Sequence, residues 1–120
     1  MITTESNTGS LQVVVTAAAD GVLVTAAGEV DLYTVASFEP PIMKGVSDLV
    51  SEPCDRGLTV DLTNVEFIDS CGLAVLLKAR NSTREDGRAF HVVLGRNTQP
   101  ARVMRLGRFD VIMALHYSED

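Results

Sequence analysis

The run from residue 58 to residue 94 constrains the fold most, because it reads as strand, helix, strand. Leu58, Val60 and Leu62 alternate with Thr59, Asp61 and Thr63, which gives a strand two unlike faces. From Cys71 to Arg84 the pattern turns helical, with Leu73, Leu76 and Leu77 toward a core. Asp86-Gly87 ends that helix, where glycine can adopt a left-handed cap. Phe90 to Leu94 is rich in valine and almost continuously apolar, predicting a strand buried on both faces. Strands joined in this way lie parallel, through a right-handed crossover.

The flanking segments extend the unit. Leu11 to Ala17 and Val22 to Ala27 are β-branched runs on either side of Asp20-Gly21, a hairpin signal. Phe38, Ile42, Val46 and Leu49 recur at helical spacing. Pro40 and Pro41 suit a first turn, so the regular helix is expected to start near Ser37 or later. Residues 51–57 read as a loop. Thr98 caps a short helix with Pro100 in its first turn and Gly107 after it, and Val111, Met113 and Leu115 alternate as a last strand or extended segment. Residues 1–10 read as a flexible tail. The expected order is β-β-α-β-α-β-α-β: one α/β domain over residues 11–120, a mixed sheet with an N-terminal antiparallel hairpin and covering helices.

Bulk properties narrow the function. A chain of 120 residues supports one core and leaves no room for a second. A net charge of −6 argues against a nucleic-acid partner and against an anionic membrane surface. No apolar run approaches the roughly 20 residues of a membrane-spanning helix. The start, MITTESNTGS, has neither the basic end nor the apolar core of a signal peptide. Cys54 and Cys71 form no CxxC pair, and a cytoplasmic protein with reduced thiols is expected. Seven arginines from Arg80 to Arg108 bias the second half toward a basic surface, either a solvated face or the rim of a partner site.

The stretch FIDSCGL (67–73) places small polar residues between two apolar runs. Ser70 would then lie past the carboxyl end of one strand and at the amino end of the next helix, where open α/β sheets place their sites. Asp69 or Ser70 can cap that helix, at about 1 kcal/mol. Gly72 lets another backbone approach, or leaves the serine uncovered. His91 and His116 have no cysteine or carboxylate at metal-ligand spacing, and structural roles are expected for both. Neither GxSxG nor a GxxxxGK[ST] phosphate loop is present.

These residues carry a resemblance. VDLTNVEFIDSCGLAVLLKAR (60–80) is similar to the signature of STAS domains of bacterial anti-sigma-factor antagonists, and GEVD (28–31) resembles the acidic motif that ends their second strand. The order of elements agrees from about residue 11 to 115. The resemblance implies a non-enzymatic partner switch with no cofactor or resident metal. The serine matching Ser70 is phosphorylated by a partner that is both serine kinase and anti-sigma factor. The unmodified antagonist binds that partner and frees the sigma factor, which is touched only indirectly. A serine phosphatase resets the switch. The docking surface carried over comprises Asp31, Asp69, Ser70, Cys71, Gly72, Leu73 and Ala74. Asp69 either caps the helix or helps orient the hydroxyl; Asp31 either caps its own following segment or touches the partner.

Cys71 stands where the family has a second Ser or Thr, and Ala74 where it often has Gly. Ser70 is thereby left as the sole local phosphoacceptor. Cys71 is either a small packed thiol or a redox sensor. Two further readings stay open: a STAS adaptor subunit of a membrane transport or other assembly with no phosphorylation, and a thiol-based regulator acting through Cys71.

Overall fold

The alternation of β-branched residues builds the centre of the molecule. The computed structural model describes residues 2–8, 10–18, 21–50 and 57–118. Six strands, β1 (Ile2–Thr8), β2 (Leu11–Ala18), β3 (Gly21–Val30), β4 (Gly57–Ile68), β5 (Phe90–Gly95) and β6 (Ala114–Ser118), form one sheet in sequence order. β1, β2 and β3 pair antiparallel, and β3 to β6 pair parallel. The crossovers are α1 (Val35–Val50), α2 (Ser70–Glu85) and α3 (Gln99–Leu106). Because each parallel strand is added on the same side of the last, right-handed crossovers put all three helices on one face.

Burial follows that geometry. Val15, Val24, Val60 and Val92 are register neighbours across four strands and all are buried. The next row along, Thr16, Leu23, Thr59 and His91, points to the other face and is half-buried or exposed. Phe38, Ile42, Val46 and Leu49 of α1 and Val75, Leu76 and Ala79 of α2 close the core above the first row. Leu76 is fully buried, whereas Leu73 and Leu77 flank the core instead of filling it.

Several expectations are corrected. Residues 2–8, expected within a tail, form an edge strand that pairs with β2 from Ile2↔Ala17 to Thr8↔Leu11. An edge strand needs only main-chain pairing with one neighbour, so no apolar stripe announces it. α1 begins at Val35, earlier than the prolines suggested, and Pro40 and Pro41 lie inside it. Their missing amides would have served the carbonyls one turn back; the burial of Phe38, Pro41 and Ile42 holds the helix through that point. β5 is covered on one face only, leaving His91 and Val93 half-buried. Val111 lies in a short 3-10 turn, Phe109–Val111, and is 67% exposed. The last strand starts at Ala114. Asp20 and residues 51–56 lie outside the described residues, so the hairpin tip and most of the expected loop do too.

One glycine fixes how β3 reaches its end. Gly28 has φ +116°, and a Cβ there would sit 1.8 Å from the Ser10 carbonyl oxygen. The neighbouring Glu29 amide donates to that same oxygen at 2.9 Å. Register shifts lie between Thr25 and Ala27 and between Gly28 and Glu29, so this bend aims Asp31 off the sheet. Gly28→Ala is expected to lower the unfolding free energy by at least about 2 kcal/mol in urea titration. A loss under about 0.5 kcal/mol would show the close approach to be dispensable.

Candidate functional site

The question posed by FIDSCGL has a geometric answer: Asp69, not Ser70, caps the helix. Asp69 is the N-cap of α2, in extended backbone, and its Oδ1 accepts from the Cys71 amide at 2.9 Å and the Gly72 amide at 3.4 Å. Its own amide donates to the Val30 carbonyl at 3.1 Å, and its carbonyl accepts from the Leu73 amide at 3.0 Å. The corner between β4 and α2 is therefore tied to the end of β3. Ser70 is the first helical residue and is exposed, and its hydroxyl makes no hydrogen bond among the described residues.

Asp31 does the same at the adjacent strand end. Its Oδ1 accepts from the Tyr33 amide at 2.9 Å and the Thr34 amide at 3.1 Å. The Thr34 hydroxyl, in a residue only 4% exposed, accepts from the Asp31 amide at 2.9 Å and lies 2.8 Å from the Glu29 carbonyl. One carboxylate oxygen of Asp31 is thus committed to starting α1. Glu29 is exposed.

Gly72 is buried beneath this corner. A Cβ there would meet Ile68 Cγ1 and Val30 Cγ1, each at 2.6 Å, so side chains of the two strand ends press on it and not, as expected, a backbone. Cys71 is half-buried with a free thiol, Leu73 is half-buried and Ala74 is exposed. The structure thus gathers Asp31, Asp69, Ser70, Cys71, Gly72, Leu73 and Ala74 around the carboxyl ends of β3 and β4. Cys54 lies outside the described residues.

Two features of the site were missed in the sequence. Gln99, at the start of α3, clamps Ile68 from both sides: its Oε1 accepts from the Ile68 amide at 2.8 Å and its Nε2 donates to the Ile68 carbonyl at 3.0 Å. β5 pairs with β4 only as far as Leu62, so this side-chain amide stands in for a strand neighbour beside Asp69. A contact across 31 residues leaves no local signal. The second feature is apolar surface: Leu32 is 67% exposed, Tyr33 84% and Phe67 41%, all at this end of the sheet. Here a signal existed, since an apolar pair follows GEVD directly, in a turn where polar residues are the rule. Among the described residues, no group of three His, Cys, Asp or Glu side chains is placed to hold a metal ion, and no helix is long and apolar enough to cross a membrane.

If Asp69 is the cap, two alanine substitutions must separate. Asp69→Ala should lower the unfolding free energy by about 1 kcal/mol, whereas Ser70→Ala should change it by less than about 0.5 kcal/mol. Urea titration of both variants decides, and the reverse ranking would assign the cap to the serine.

The chain resembles solved structures along most of its length. An anti-sigma factor antagonist from Mycobacterium paratuberculosis superposes with a TM-score of 0.73 at 25% identity, over 96% of this chain and 92% of that one. An anti-sigma-factor antagonist (STAS) domain protein from Planctomyces limnophilus has a TM-score of 0.63 at 15% identity, over 89% and 90%; that likeness is one of fold. No curated protein sequence matches the chain. The STAS domain family matches residues 11–120, and with the single mixed sheet and its three helices this settles the matter: the chain belongs to the STAS domain family.

Proposed function

We propose that this protein is an anti-sigma-factor antagonist, a binding module whose affinity for an anti-sigma factor with serine kinase activity is switched off by phosphorylation of Ser70. The observation that carries the reading is the division of labour at α2: Asp69 occupies the Cys71 and Gly72 amides, and the Ser70 hydroxyl is left exposed. A phosphate on Ser70 adds about −1.5 to −2 charges. The Cys71 and Gly72 amides are already taken by Asp69, so the dianion projects outward beside the Asp69 carboxylate. The helix end favours it by about 0.3–1 kcal/mol, and the fold tolerates it.

The partner surface does not. Burying an unmatched charge against a surface shaped for a hydroxyl costs about 2–5 kcal/mol, or roughly 30- to 4,000-fold in affinity. Leu32, Tyr33 and Phe67 supply the aromatic and aliphatic area that protein interfaces favour, and Asp31 and Asp69 each keep one carboxylate oxygen outside the caps described above. A phosphatase of the serine class would restore binding, and the sigma factor is reached only through the anti-sigma factor.

Incubation with the host's anti-sigma kinase and ATP, read by intact mass, tests the assignment. One phosphate is expected on the unaltered protein and none on Ser70→Ala. A phosphate on Ser70→Ala, or none on either, overturns it, and the second result favours a constitutive adaptor. Tyr33→Ala should weaken the unmodified complex at least about tenfold in calorimetric titration; unchanged affinity would place the interface elsewhere.

A further inference from the structure

His91 and His116 are 25 residues apart and carry no metal-binding spacing, yet the sheet brings them together. His91 pairs with Ala114 across β5 and β6, and Val93 pairs with His116. Both histidines therefore project from the helix-free face as diagonal neighbours. His91 Nδ1 lies 3.0 Å from His116 Nε2, with ring centroids 5.1 Å apart and the ring planes tilted by 40°. His91 is half-buried and His116 exposed, so solvent reaches the pair.

We propose that His91 and His116 form a chelating site for a borderline divalent transition-metal ion of the nickel, copper or zinc class. Imidazole nitrogen is the ligand these ions share. Two metal–nitrogen bonds of about 2.1 Å meeting at a right angle span about 3.0 Å, the separation found between the two nitrogens. That angle is the cis edge of a square-planar or octahedral centre, which favours nickel(II) and copper(II) over tetrahedral zinc.

Without metal, one of the two facing nitrogens carries a proton and donates it to the other. Binding turns both lone pairs to the ion and moves that proton to the far nitrogen of its own ring, a tautomer change with no net proton loss and no redox step. Since no third protein ligand converges there among the described residues, water fills the remaining positions. The ion would join β5 to the edge strand β6. The site lies near the amino end of β5 and on the open face, away from the carboxyl-end corner that holds Ser70, so it is independent of the phosphorylation reading.

Calorimetric titration of the untagged full chain with nickel(II) tests this. One site is expected, and His91→Gln and His116→Gln should each weaken it at least about tenfold, because either change leaves a single imidazole in place of a chelate. Nickel at about ten times the dissociation constant of the unaltered protein should also raise its melting temperature clearly more than that of either variant. Both substitutions lie on the open face, and circular dichroism is the check that the variants remain folded. A smaller loss in either variant, or no uptake by the unaltered protein at about 1 mM nickel, overturns the proposal and leaves the pair as a hydrogen bond alone.

Discussion

The structure turns on one carboxylate. Asp69 follows the last residue of β4, donates its amide to β3, and accepts two amides of α2 on its side chain and one on its carbonyl. Strand end, helix start and neighbouring strand meet at that residue. Removing any one of these bonds is a modest perturbation of about 1 kcal/mol. Their joint effect is geometric, because they fix the direction in which α2 leaves the sheet and thereby hold Ser70 at the surface. Gln99 and Gly72 serve the same corner, one by pairing the otherwise unflanked Ile68 backbone and the other by keeping clear the space that Val30 and Ile68 fill.

A site built in this way separates folding from recognition. The core row through Val15, Val24, Val60 and Val92 and the helices above it do not depend on the hydroxyl of Ser70. The surface around Leu32, Tyr33 and Phe67 contributes little to the fold because it is exposed. A charge introduced at Ser70 would therefore sit at the surface and leave the core row untouched.

Where one face of an element is dry, the sequence was legible. Leu58, Val60 and Leu62 against Thr59, Asp61 and Thr63, the α1 stripe, the Thr98 cap and the turn at Gly87 with φ +69° all stand as read. Legibility failed where backbone or distant contacts decide. β1 has no apolar stripe to betray it. Pro40 and Pro41 carry a local bias that the burial of Phe38 and Ile42 overrides. Phe90 to Leu94 looked buried on both faces because valine tolerates a half-covered position, and its second face is in fact open. The cap at FIDSCGL stayed ambiguous since aspartate and serine both cap well; only the backbone direction at Asp69 distinguishes them.

The central claim is that phosphate at Ser70 changes binding and leaves the fold intact. The direct test is a paired measurement on stoichiometrically phosphorylated protein: unfolding free energy in urea, and affinity for the anti-sigma kinase. The account predicts a stability change within about 1 kcal/mol together with an affinity loss of at least about 30-fold. Equal affinity for the two forms, or a loss of affinity that tracks unfolding, would contradict it.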